Sequence, residues 1–157
     1  MTECFYAGGL RFECTRCSRC CRGEPGYVFL SREDLEDLAE GLELSRSEVL
    51  ARYCRTVRVG GIPRVSLRER ANYDCIFWRP KGCSVYDHRP LQCRSYPFWP
   101  ANLCSPEHWR ELQAHCPGAG KGSLHSREEI QEWLRLSRER RCLSGEEWKF
   151  DFPPHSK

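Results

Sequence analysis

Four cysteines crowd into one short run, Cys14-x-x-Cys17-x-x-Cys20-Cys21, in a chain of 157 residues that carries twelve cysteines in all. The Cys-x-x-Cys spacing lets a tight turn bring two sulfurs to one metal while backbone N–H groups face those sulfurs. Three cysteines in register can hold three corners of an iron–sulfur cluster, with a remote cysteine as the fourth. Cys116, followed by Pro117, is a candidate for that remote ligand. Zinc is the rival. Structural zinc sites use two Cys-x-x-Cys pairs, or cysteines with histidines, and here no second such pair and no zinc-finger histidine spacing is present.

Redox compartment decides how so many cysteines are read. An exported chain would turn an even count into disulfides, whereas a reducing cytosol leaves thiols free for metal. The stretch from Met1 to Leu10 has no basic start followed by an apolar segment, so no signal peptide is expected and the cytosol is the expected location. No apolar run reaches the roughly 18 residues that span a bilayer, so no membrane partner is expected. Charged residues make up 30% and apolar residues 39%, which fits one polar globular domain over 1–157. The net charge of +3 comes from 25 basic and 22 acidic residues with interleaved signs. Beyond Arg138, Arg140 and Arg141 no basic block stands out, which argues against a nucleic-acid partner. A protein partner is left open.

Periodicity supplies the frame. Tyr27–Leu30 reads as a short strand. Ser31 with Asp34, and Ser45 with Glu48, have the spacing of helix-opening caps, placing Leu35, Leu38 and Leu42, then Val49, Leu50, Tyr53 and Cys54, on apolar stripes. Residues 56–68 alternate as a hairpin turning at Gly60-Gly61. Ser105-Pro106 opens a helix that aims Cys116 inward, and Ser126 with Glu129 opens the last one, carrying Ile130, Trp133 and Leu134. The tail beyond Ser144 offers Trp148, Phe150 and Phe152 for packing. The expected fold is a small irregular α+β domain, with cysteine-rich metal-binding loops held by short helices and a β-hairpin.

Cys75, Cys83 and Cys93 form a second group, with Arg89 and Arg94 flanking it as cations that would offset thiolate charge. The turn Pro80-Lys81-Gly82 lets Cys75 and Cys83 meet across a hairpin. Taken together, Phe12-x-Cys14-x-x-Cys17-x-x-Cys20-Cys21-Arg22, Cys75-Ile76-Phe77, Cys83-x-Val85-Tyr86-x-x-Arg89-Pro90-x-x-Cys93-Arg94-x-Tyr96-Pro97-Phe98 and Cys116-Pro117-Gly118 resemble the YkgJ-type cysteine-cluster family, a zinc- or iron-chelating CxxCxxCC domain. The resemblance covers about 12–122 and leaves the helix and tail at 126–157 outside it. It implies a metal-binding domain whose ligands are Cys14, Cys17, Cys20, Cys21, Cys75, Cys83, Cys93 and Cys116. A similar cysteine set in flagellin lysine methylases implies that the module can serve a modification enzyme.

Cys4, Cys54, Cys104 and Cys142 fall outside that pattern and read as structural. The glycine-rich stretch Gly118–Ser123 lacks the order of a nucleotide-binding loop, and its amides are instead expected to face sulfurs near Cys116. His88 is expected to be exposed or hydrogen-bonded, not a ligand. Adjacent Cys20 and Cys21 are expected to diverge and not to share one ion. The preferred cofactor is an iron–sulfur cluster of the 4Fe–4S type, with zinc as the alternative. Three functions follow: a cluster protein in electron transfer or accessory to another enzyme, a cluster-dependent protein-modifying enzyme, or a structural zinc module. No catalytic residue is identified.

Overall fold

The computed structural model describes residues 4–17, 20–22 and 26–144. In chain order the elements are β1 (Leu10–Phe12), α1 (Arg32–Leu42), α2 (Arg46–Tyr53), β2 (Cys54–Val59), β3 (Ile62–Leu67), β4 (Trp78–Arg79) and β5 (Gly82–Cys83). They continue with α3 (Leu91–Ser95), α4 (Pro106–His115), β6 (Ala119–His125) and α5 (Arg127–Glu139). Single 3-10 turns at Tyr86–His88 and Pro100–Asn102 separate them. The mixed α+β class expected from sequence is what forms. The tail aromatics Trp148, Phe150 and Phe152 lie outside the described residues. Among the described residues no helix is long and apolar enough to cross a membrane.

The chain gathers into two compact units that alternate along the sequence, one from 1–19 and 95–139, the other from 20–94 and 140–157. In the second, both expected capping boxes form: Ser31 and Ser45 each accept the N–H three residues on, and Asp34 and Glu48 accept in return. That reciprocal bonding satisfies otherwise orphaned donors at each helix start. The β2–β3 hairpin closes with Val59 opposite Ile62. Gly60 and Gly61 both take positive φ, 59° and 80°, as a two-residue turn of this kind requires. Leu30, Leu35, Leu38 and Val49 are fully buried and pack with Val65, Leu67, Phe77 and Leu143.

Two sequence expectations change here. Tyr27–Leu30 is extended but pairs only in part: Phe29 bridges Ser66, and the Leu30 N–H donates to the Val65 carbonyl at 3.2 Å. Cys54 is buried, yet as the first residue of β2 and not on the face of α2, because the chain turns extended there (φ −117°, ψ 158°).

Asp34 does more than cap. Its carboxylate is 4% exposed, and besides the Ser31 N–H it accepts the Leu91 N–H at 2.8 Å, which opens α3. Gln92 holds the same short helix from its side, accepting from the Phe29 N–H at 3.0 Å and donating to the Tyr27 carbonyl at 2.7 Å. A five-residue helix has no cooperative stability of its own, so these anchors fix its position. His88, in the preceding turn, bonds Asp37 at 3.0 Å, the hydrogen-bonded role expected of it.

The first unit is built on β1 and β6, antiparallel with a bulge: Leu10 faces His125 and Arg11 faces Leu124, but Phe12 slips to Ala119. Gly118–Ser123, read from sequence as a loop, is largely strand from Ala119 on, and its Ala119 and Lys121 N–H groups donate to the Cys116 and Gly118 carbonyls at 3.2 and 3.3 Å, where sulfur acceptors were expected. The Glu13 N–H donates to the Gly118 carbonyl at 3.2 Å. A Cβ on Gly118 would stand 1.9 Å from the Glu13 carbonyl oxygen, so only glycine permits this approach. Ile130 is fully buried among Phe98, Trp109 and Ala119, with the Phe98 and Trp109 rings stacked 6.2 Å apart.

Replacing Asp34 by alanine removes a helix cap and strands two buried N–H donors. Urea denaturation of Asp34→Ala should show a loss of about 2–4 kcal/mol, and Asp34→Asn, which keeps an acceptor, about half of that. Equal stability of wild type and Asp34→Ala would show that the anchor carries no load.

Candidate metal centre

The eight cysteines of the sequence pattern divide between the units. Cys20, Cys21, Cys75, Cys83 and Cys93 belong to the second, and Cys14, Cys17 and Cys116 to the first.

In the second unit, local chemistry draws the chain segments together. The Cys75 N–H donates to the Cys21 carbonyl at 2.7 Å. One residue on from Cys21, Arg22 reaches the buried Asp74 carboxylate, next to Cys75, at 3.4 Å, and its guanidinium lies 3.9 Å over the Trp78 ring. Asn72 holds Asp74 from the other side at 3.1 Å. The β4–β5 hairpin pairs Trp78 with Cys83, so Cys83 returns to the neighbourhood of Cys75 as the turn at Pro80-Lys81 implied, though the cross-strand partner is Trp78. Cys93 arrives on α3.

Burial and neighbouring charge act on the ionisation of these thiols together. Burial pushes the Cys93 thiol far up, and the neighbouring Cys75, Cys20 and Cys83 push it further, with Arg89 opposing. Cys75 is raised by burial and by Cys83 and Cys20, and held back by the N–H groups of Phe77 and Trp78 on its sulfur. Cys83 is raised by burial and held back by the Val85 N–H and by Arg89. Cys20 alone is lowered, to about 7, first by its hydrogen bond with Cys21 and in part by Arg89; Cys21 is raised correspondingly. The Cys20 and Cys21 sulfurs stand 3.7 Å apart, so these neighbours converge where divergence was expected.

Arg89 is the cation of this centre. It is held by donation from Nε to the Tyr86 carbonyl at 2.8 Å and by stacking 3.8 Å over the Tyr86 ring. Arg94, singled out with it from sequence, has its Nε buried without a hydrogen-bond partner among the described residues.

In the first unit, Arg16 adopts a left-handed φ of 56°, and its N–H donates to the Cys14 sulfur at 3.4 Å. Cys14, Cys75 and Cys83 thus share one device, an amide two residues on that donates to sulfur. Residue types at positions 16, 77 and 85 give no hint of it, because the donor is backbone. Cys14 and Cys17 are exposed, while Cys116 caps α4 and is buried, as expected.

Thiols with amide donors and a fixed arginine would, on giving up their protons to a metal, form a soft, anionic donor set that fits a thiophilic ion. Among the described residues no three histidine, cysteine, aspartate or glutamate side chains are drawn tightly enough to hold one ion as they stand.

The comparisons bear on the sequence pattern. Residues 13–117 match the CxxCxxCC family, described as a "Putative zinc- or iron-chelating domain", and the chain belongs to that family. The archaeal "Uncharacterized protein MJ0661" of Methanocaldococcus jannaschii is 31% identical over 97 residues, covering 59% of this chain. The chain spans about half the length of that relative, 48%. No solved structure matches significantly.

The cysteines outside the pattern sit apart chemically. Cys54 is 3% exposed and pushed up by burial to about 12, whereas Cys104 is exposed and its thiol donates to the Pro100 carbonyl at 3.1 Å. Cys142 bonds the Leu143 and Val65 carbonyls. Iodoacetamide at pH 8, with peptide mapping, should modify Cys104 within minutes and leave Cys54 untouched until denaturant is added. Modification of Cys54 in the native protein would contradict its burial.

Proposed function

We propose that this chain is a thiolate-ligated metalloprotein whose main centre is built on Cys20, Cys21, Cys75, Cys83 and Cys93, and that it holds an iron–sulfur cluster of the 4Fe–4S type. It serves electron transfer, or supports a modification enzyme, in the cytosol. The observation that carries this reading is the convergence of cysteine-bearing segments, with the Cys75 N–H on the Cys21 carbonyl at 2.7 Å, the Cys20 and Cys21 sulfurs 3.7 Å apart and Cys83 paired across to Trp78. Cysteine is the sole donor type in the group. Amide N–H groups on sulfur and a nearby cation are levers on reduction potential, which matter most for a centre that changes charge. A cluster bound here would supply one-electron chemistry. The chain's own residues hold the sulfurs, screen their charge through Arg89 and limit water through Trp78 and Phe77. Cys14, Cys17 and Cys116 complete the eight thiolates of the family pattern, as further ligands.

One observation favours zinc as a second reading. Four sulfurs about 2.3 Å from a tetrahedral ion lie about 3.8 Å from one another, close to the 3.7 Å between Cys20 and Cys21. Zinc would make the domain a structural module without redox chemistry.

Protein purified without oxygen separates the two. A brown preparation absorbing broadly near ~400 nm, with iron and acid-labile sulfide, is expected. A colourless protein with stoichiometric zinc would replace the cluster reading with the structural one. Cys83→Ser and Cys93→Ser should lose most of the metal and, with it, folding stability, while Cys104→Ser and Cys142→Ser retain it. Equal loss in all four would dissolve the division between ligand and structural cysteines.

Arginine substitutions test the electrostatics of the same centre. Redox titration of Arg89→Gln should give a lower midpoint potential than wild type, because a cation favours the more negative reduced state, and Arg94→Ala should shift it less. The reverse order would remove Arg89 from its assigned role.

A further inference from the structure

Signs that interleave over the whole chain conceal one local concentration. Between residues 52 and 70 stand Arg52, Arg55, Arg58, Arg64, Arg68 and Arg70 against Glu69 as the sole acidic residue. This is the β2–β3 hairpin and its two flanks.

Strand alternation sorts the hairpin into two faces. Cys54, Val65 and Leu67 point into the core of their unit and are 3%, 1% and 3% exposed. Arg55, Val57 and Val59, opposite Ser66, Arg64 and Ile62, form the other face. Val59 and Ile62 are exposed there. The extended segment beside β3 adds Tyr27 and Phe29 through the Phe29–Ser66 bridge, and residues two apart in such a segment share a side. Their rings lie 5.4 Å apart, and Tyr27 is 46% exposed. Arg55 lies over Tyr27 at 5.6 Å and Arg64 over Phe29 at 5.7 Å.

Most of this charge is not neutralised within the hairpin. Arg58, Arg68 and Arg70 donate to backbone carbonyls, of Gly61, of Cys54 and Ala51, and of Ile76. Among the described residues only Arg55 meets a carboxylate, Glu69 at 3.7 Å, and Glu69 also accepts the Gly26 N–H.

A face with two adjacent rings, flanking guanidinium groups and excess positive charge has the chemistry that receives single-stranded nucleic acid. Bases stack on exposed rings whatever their sequence, and arginines meet the phosphates between them. Duplexes keep their bases inside and cannot use the rings. We propose that the outer face of the β2–β3 hairpin, with Tyr27, Phe29, Arg55 and Arg64, is a docking surface for single-stranded RNA. It uses none of the candidate metal ligands.

The test is fluorescence anisotropy with the full metal-loaded chain and a labelled twelve-nucleotide oligouridylate. Duplex RNA of equal length and a polyglutamate peptide serve as competitors. Binding should weaken linearly on a log–log salt scale, and the single strand should compete well ahead of the other two. Tyr27→Ala should lower affinity about tenfold while Tyr27→Trp restores it. Arg64→Gln should reduce the salt slope by about 0.7, one phosphate's worth for a single strand. Metal content and far-UV circular dichroism of these variants should match wild type. Polyglutamate competing as well as RNA, with Tyr27→Ala without effect, would overturn the proposal in favour of an acidic protein partner. Absence of binding at low salt would overturn it outright.

Discussion

Thiols held near one another resist ionising together, and each one that loses its proton makes the next harder to ionise. That repulsion is the constraint to which the cysteine-rich unit answers. Cys93 is raised first by burial and then by the neighbouring Cys75, Cys20 and Cys83. The chain supplies three counterweights: amide N–H groups on the sulfurs of Cys75 and Cys83, the proton shared between Cys20 and Cys21, and the guanidinium of Arg89. A divalent or multi-iron centre would remove the repulsion at its source, so metal loading and folding are expected to be strongly linked.

Ordinary interactions hold this unfavourable arrangement in place. Asp34 and Gln92 anchor the short helix of Cys93, while Arg22 and Asp74 clasp the segments of Cys21 and Cys75. Both carboxylates are almost wholly buried and both accept several hydrogen bonds, the condition under which a buried charge is tolerated. Positioning therefore comes from oxygen and nitrogen chemistry one residue away from the sulfurs, with apolar burial behind it.

Local signals in the sequence were readable because they act locally. Ser31 with Asp34 and Ser45 with Glu48 announce their helices within four residues, and Gly60-Gly61 announces its hairpin. The family and its cysteines could likewise be read from spacing. Long-range choices could not. Gly118–Ser123 looked like a loop because glycine is rare in strands; the close backbone of Glu13 explains Gly118 just before β6, and positive φ explains Gly120 and Gly122 within it. Arg89 and Arg94 looked equivalent from spacing, yet Tyr86 directs one of them toward the thiols. Cys54 followed the helical stripe on paper, but the chain leaves the helix at that residue.

The alternation of the two units along the chain has a consequence during synthesis. The second unit begins at Cys20, yet the Leu143 carbonyl accepts the Val65 N–H at 2.9 Å and the Leu143 N–H reaches the Leu30 carbonyl at 2.8 Å. The first begins with β1 and needs Ile130 to fill its core. A ribosome making this chain must therefore release it through Ile130 before the first core can close, and through Leu143 before the second can. Throughout that interval the cysteines of Cys14-x-x-Cys17-x-x-Cys20-Cys21 are already outside and uncaged. For such a nascent chain, capture of metal and protection from oxidants become a race against the remainder of translation.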